Sequence, residues 1–190
     1  MVVNPHEVAD QIDRPEGSLH IGPSSIDLHI AGEKTELKEK EWLAEGTNAY
    51  AVRQARPGKI EIDDEETYPV ERTSVGHDYI TVNPGEFCLA RSQEELDLAY
   101  QIGAEVSGRS SVGRLGLFVE NAGLVDRGFN GTITLELFNP TDRTIEIPVG
   151  SRVAQLVFFR QSGSKANAYD GKYNGQVEPT GSKLHQDEEL

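Results

Sequence analysis

Between residues 79 and 159 the chain is a succession of short runs rich in β-branched and aromatic residues, separated by Gly, Pro, Asn and Asp. That spacing is the strongest constraint on its fold. The runs cover 79–82, 86–90, 102–106, 117–119, 132–138, 144–147 and 153–159. Segments this short make strands rather than long amphipathic helices, so the expected architecture is mainly β, a compact barrel or sandwich. Near the N-terminus, Asn4 is placed to cap a short helix with Pro5 at its first position, ending by Pro15. From 31 to 76 Glu and Lys are dense, and 60–66 reads as a strand running into an acidic loop.

A chain of 190 residues suits one domain. Its expected parts are an N-terminal elaboration over 1–76, a β core over 77–162 and a tail over 163–190, too poor in apolar residues to fold unaided. The formal charge of −14 argues against nucleic acid or an anionic membrane as partner. Dense surface acid keeps a protein soluble, and at this density it also fits a high-salt cytoplasm. Residues 108–160 differ from the rest, with six arginines against five acids and no lysine. There is no basic-then-apolar leader pattern and no membrane-length apolar run, and Cys88 is the one cysteine; a cytoplasmic protein is expected.

Chemistry concentrates in residues 108–136. Gly108-Arg109-Ser110-Ser111 is a Gly-led turn whose N–H groups, hydroxyls and guanidinium suit phosphate oxygens, with Arg114 following. The serine pair also suits the start of a helix near Val112, and a helix start favours anions. Residues 121–126 read as a tight hairpin in which Gly123 permits a positive φ. In 132–138 the period is two: Ile133, Leu135 and Leu137 share one face, Thr132, Thr134, Glu136 and Phe138 the other.

These residues resemble the dCTP deaminase branch of the dUTPase-like superfamily, which carries a GRSS-type segment, a glycine hairpin ending in Asp, and a T-L-E strand. The likeness extends to Gly22–Leu28 (a P-x-S-I/V-D-L element), Pro84–Ala90, Pro148–Leu156 and the tail residues Lys172-Tyr173-Asn174-Gly175-Gln176. It implies a distorted jelly-roll-like β-barrel of the dUTPase-like type with a flexible C-terminal lid, assembled as a homotrimer with shared sites. It implies hydrolytic deamination of dCTP to dUTP and ammonia, with Glu136 as general acid/base and Arg114 beside the pyrimidine. Arg109, Ser110, Ser111, Lys172 and Tyr169 would hold the triphosphate, with Gln176 near the pyrophosphate end. The backbone near Ala122 and Gly123 would read the base edge, Asp126 would meet the 3′-hydroxyl, and Phe129 would pack near the sugar. Mg2+ would ride on the phosphates, and dTTP is the implied feedback ligand.

One carboxylate beside a cytosine ring can activate water, protonate the ring nitrogen and protonate departing ammonia. Zinc deaminases instead carry H-x-E and P-C-x-x-C signatures, which this sequence lacks, and His6, His20, His29, His77 and His185 show no metal spacing. Two further readings stay open. The Asn121–Asp126 hairpin is similar to the A-G-x-I/V-D hairpin of dUTPases and bifunctional enzymes, which implies cleavage of dUTP to dUMP; a catalytically silent nucleotide-binding regulator is the other.

Overall fold

Residues 130–138 form a nine-residue strand that pairs on both sides in the largest sheet, and its alternation sets which residues face the core. The computed structural model describes residues 1–14, 17–31, 49–54, 70–75, 79–120, 123–165 and 168–187. In chain order the elements are β1 (Ile12–Asp13), β2 (Ile26–His29), β3 (Ala49–Gln54), β4 (Val70–Val75), β5 (Tyr79–Val82), β6 (Phe87–Asp97) and β7 (Ile102–Gly108). The one-turn helix α1 (Ser110–Gly113) follows, then β8 (Phe118–Glu120), β9 (Leu124–Val125), β10 (Asn130–Phe138), β11 (Ile145–Pro148) and β12 (Arg152–Arg160). The expected strand over 60–66 lies outside the described residues.

Three antiparallel sheets result. The largest runs β4-β3-β6-β10-β8 with β1 also paired to β6; the second runs β2-β12-β7-β9; β11 and β5 form a third. None closes on itself among the described strands, and the architecture is a distorted jelly-roll, mainly β. Ile26, Leu28, Ile80, Leu135, Leu137, Leu156 and Phe158 meet in one hydrophobic cluster and are inaccessible to solvent. Each such side chain contributes about 1.5–3 kcal/mol relative to exposure. The segment 1–76 is woven into this core: it supplies β1 to β4, and Ile26 and Leu28 lie at its centre.

Two local expectations are corrected. The N-terminal helix is a pair of 3-10 turns, Pro5–Glu7 and Ala9–Gln11, with Asn4 Oδ1 accepting from the His6 N–H at 3.0 Å. Val8, 1% exposed, leaves helical geometry at φ −122° to reach the core, which breaks the helix after one turn. Among the described residues the strands on either side of the expected hairpin are not paired with each other: β8 pairs with β10 and β9 with β7, so the two belong to different sheets. Gly123 has φ +75°, and its carbonyl accepts from the Val106 N–H at 2.7 Å.

A bulge in β6 shapes the interior. Thr132 pairs with Glu95 and Thr134 with Arg91, so Ser92, Gln93 and Glu94 oppose Ile133 alone. Ser92 Oγ fills the broken ladder, accepting from the Ile133 N–H at 3.0 Å and donating to the Glu94 carbonyl at 2.7 Å. The bulge turns Glu94, fully buried, towards His29: Glu94 Oε2 accepts from the His29 backbone N–H at 2.8 Å, and Oε1 lies 2.6 Å from His29 Nδ1 and 3.4 Å from Arg14 Nε. Breaking a buried charge pair of this kind costs about 3–5 kcal/mol, so these contacts lock β2 against β6.

The tail is docked. Gly131 pairs with Gln176 in a parallel bridge, and the Thr132 N–H donates to the Gln176 carbonyl at 2.8 Å. The Gly175 and Tyr169 N–H groups donate to the carbonyls of Asn130 and Arg127, each at 2.8 Å. No helix among the described residues is long and apolar enough to cross a membrane.

Candidate active site

Glu136 is held by β10 opposite Leu89 of β6 and Glu120 of β8, between the fully buried Leu135 and Leu137. Alternation therefore turns its side chain away from the core, into a cavity of about 520 Å³. Thr134, two residues earlier on the same face, lines the same cavity. So do Asp126, Phe129, Gly123 and the tail residues Tyr169 and Gln176. Glu136 is half-buried and Asp126 exposed. Two carboxylates thus face one space sized for a nucleotide.

The turn after Asp126 explains how the tail reaches this space. The Phe129 N–H closes back on the Asp126 carbonyl at 3.2 Å through Gly128, φ +78°. A Cβ on Gly128 would stand 2.8 Å from that of Ala168, so the close approach of the tail requires glycine. Phe129, 6% exposed, packs on Tyr169 with ring centroids 6.0 Å apart. Gln176 Nε2 donates to the Thr132 carbonyl at 2.8 Å, while its buried Oε1 has no partner among the described residues. An acceptor suits a hydroxyl or amino donor better than an ionised phosphate, which offers only acceptors.

Lys172 lies elsewhere. Its Nζ is 2.5 Å from Asp187 Oδ1, and that hydrogen bond raises its pKa above the usual lysine value. It is not among the residues lining the cavity. Among the polar tail residues that line the cavity, Tyr173, Thr180 and Ser182 are not binding residues expected from the sequence. The Tyr173 N–H donates to Tyr169 Oη at 3.3 Å and its own Oη accepts from the Lys183 N–H at 3.0 Å, while the Thr180 N–H donates to Thr134 Oγ1 at 3.3 Å. Tyr173 stood inside a quoted motif; Thr180 and Ser182 carried no signal, because a loop rich in small polar residues reads as linker.

The arginine-serine segment occupies a second, separate cavity. Gly108, Arg109, Ser110 and Gly113 line it together with Leu117, Phe118 and Val119, enclosing about 340 Å³. Helix α1 starts at Ser110, with Arg109 as a cap residue that makes no side-chain capping bond. Ser110, Ser111 and Arg114 are exposed; Arg114 ends the turn, its N–H donating to the Ser110 carbonyl at 3.0 Å. One chain therefore brings Glu136, Asp126, Phe129, Tyr169 and Gln176 together, and gathers Arg109 and Ser110 apart from them. Ala122 lies outside the described residues. Among those residues no group of three or more His, Cys, Asp or Glu side chains is arranged to hold a metal.

Residues 4–161 match the family model described as dCTP deaminase-like. The chain belongs to the dCTP deaminase-like family. Curated relatives of this family include the dUMP-forming dCTP deaminase of Aquifex aeolicus (strain VF5), 37% identical with 100% of this chain and 98% of that protein covered. The dUMP-forming dCTP deaminase of Persephonella marina is 34% identical over the whole of both chains. A dCTP deaminase of Natronomonas pharaonis is 31% identical over 95% of this chain and 88% of its own. Among solved structures, the 2′-deoxycytidine 5′-triphosphate deaminase of Agrobacterium tumefaciens superposes with a TM-score of 0.55 at 22% identity, covering 78% of this chain and 42% of that one. That superposition bears on the fold, which it supports.

Proposed function

We propose that this chain is a dUMP-forming dCTP deaminase, consuming dCTP and two waters and releasing ammonia, pyrophosphate and dUMP. The observation that carries this reading is Glu136 and Asp126 lining one cavity, one carboxylate for each hydrolysis. The full-length relatives named dUMP-forming favour it over a reaction that stops at dUTP.

In the first hydrolysis Glu136 accepts a proton from water as its oxygen bonds to cytosine C4. It passes that proton to N3, then moves the proton of the new C4 hydroxyl to the exocyclic nitrogen, and the C4–N bond breaks to release ammonia and leave the C4 carbonyl of uracil. Its half-buried position on a rigid strand, with Thr134 beside it, suits a group that must exchange protons without solvent competing. Arg114 assists from a neighbouring subunit. In the second hydrolysis Asp126, at the sugar end, orients water towards the α-phosphate, and the α–β phosphoanhydride bond breaks. Phe129 packs against the sugar, and the backbone at Ala122 and Gly123 reads the base edge.

Arg109, Ser110 and Ser111 hold the triphosphate, with Lys172 joining once Asp187 releases it. Glu136 and Asp126 are oxygen donors of the kind magnesium takes, yet too few to cage an ion, so Mg2+ would be held chiefly by phosphate oxygens and water and would screen their charge. The separation of the arginine-serine cavity from the Glu136 cavity supports a homotrimer in which each site draws on two chains. dTTP, a pyrimidine triphosphate of the same shape, is the feedback ligand this reading expects.

Product analysis tests it. Purified protein given dCTP should release ammonia and pyrophosphate in equal amounts and accumulate dUMP. Ammonia with stoichiometric dUTP and no pyrophosphate would restore the simple deaminase, and neither product would leave a binding protein.

A further inference from the structure

Two guanidinium groups converge on one buried carboxylate beside the arginine-serine cavity. Asp27, 6% exposed, projects from β2. Its Oδ2 is 3.2 Å from Arg152 Nη1 and 3.5 Å from Arg109 Nε, with His20 Nε2 3.8 Å away. Arg109 Nη1 also donates to the Arg152 carbonyl at 3.1 Å, and the Arg109 N–H to the Val153 carbonyl at 3.1 Å. The three residues come from adjacent stretches of one sheet, since β12 lies between β2 and β7 and Arg109 directly follows β7. Both guanidiniums keep an outward aspect, with side-chain exposures of 26% for Arg109 and 35% for Arg152, against 9% for Asp27.

A structural ion pair needs one cation for one carboxylate. Here a single buried carboxylate holds two cations on the same oxygen, and their mutual repulsion is offset only while that charge is present. The cluster retains an excess positive charge at the surface of a chain whose net charge is −14. Two guanidiniums held at one carboxylate oxygen, each with donors left over, can bind neighbouring phosphate oxygens.

We infer that Arg109 and Arg152 form one two-pronged clamp for a polyphosphate, and that Asp27 is the positioning residue that holds the prongs together. Arg152 is thereby a phosphate-binding residue of this chain. The inference deepens the proposed function, resting on it for the nucleotide but not for the clamp itself.

Calorimetric titration of the full-length protein with inorganic tripolyphosphate reads the clamp without any turnover. Arg152→Gln should weaken tripolyphosphate by about tenfold or more, the loss associated with a hydrogen bond to a charged group. Asp27→Asn should weaken it comparably and leave deoxycytidine, which has no phosphate, bound as in wild type. In turnover the loss should fall on KM for dCTP more than on kcat, and Asp27→Glu should recover part of it. Wild type failing to bind tripolyphosphate, or Arg152→Gln binding it as wild type does, would overturn the inference. So would Asp27→Asn losing deoxycytidine and tripolyphosphate in the same proportion, which marks a merely structural ion pair. If Asp27→Asn does not fold, Arg152→Gln decides alone, because Arg152 is half-exposed. Loss of tripolyphosphate binding in the variants of a wild type that does not deaminate dCTP would uphold the clamp and sink the deaminase.

Discussion

Glu136 and Asp126 share a cavity but not an environment, and that difference matches the two roles proposed for them. Glu136 is half-buried on a paired strand; Asp126 is exposed at the mouth of a glycine turn. Glu136→Gln keeps shape and hydrogen-bonding capacity yet cannot take the water's proton, so ammonia release from dCTP should fall by about 10²–10⁴-fold. Pyrophosphate release from supplied dUTP should survive in that variant, whereas Asp126→Asn should abolish it. Separate ammonia and pyrophosphate assays decide the matter, and undiminished ammonia release in Glu136→Gln removes it from the mechanism. Glu136 was legible in the sequence because period-two alternation needs no tertiary information to turn residue 136 away from Leu135 and Leu137. Asp27 was not legible as a functional residue: its partners Arg109 and Arg152 are distant in sequence and meet it only through the order of three strands.

At the scale of elements, the seven short runs between 79 and 159 correspond to β5, β6, β7, β8, β10, β11 and β12, with ends shifted by a few residues. The largest shift, in β6, has a physical cause: beyond Ala90 the strand continues through the bulge, whose residues Ser92, Gln93 and Glu94 are polar and buried together. Polar runs read as loop in a sequence, because the hydroxyl that repairs the ladder and the arginine and histidine that satisfy the acid come from elsewhere. The tail, too poor in apolar residues to fold unaided, is ordered along β10 by backbone hydrogen bonds. Gly131 permits that docking. It has φ +125°, and a Cβ there would stand 2.5 Å from the Gln176 carbonyl oxygen. Gly131→Ala should therefore leave the sheets folded, push the tail off β10 and expose it to limited proteolysis. Turnover should fall by about a hundredfold, the scale of an ångström-sized misplacement of reacting groups. A variant with a protease-resistant tail and full turnover would show that docking at Gly131 plays no part in catalysis.

At the scale of the whole molecule, the carboxylates and the phosphate-binding cations of the proposed reaction lie in different cavities of one chain. A nucleotide with its base at Glu136 would have to find Arg109 and Ser110 on a neighbouring copy. Exposed apolar groups border both cavities: Leu124 and Phe87 at the first, Phe118 at the second, with Phe87 and Phe118 each opposite Phe138 across the sheet. Chains of charge −14 repel one another, so association across such surfaces should tighten as salt screens them and loosen on dilution at low salt. Shared sites make a sharper demand. Glu136→Gln and Arg109→Ala homomers should each fail to release ammonia from dCTP, but chains of the two kinds, unfolded together and reassembled in equal amounts, should recover that release. A site built across each interface of a random cyclic assembly regains both intact residues in about a quarter of cases, which sets the expected recovery relative to wild type. Sedimentation of the same samples reports the assembly state. Mixed assemblies that form and stay inactive would place both residues in a site within one chain, and an active wild-type monomer would do the same without any mixing.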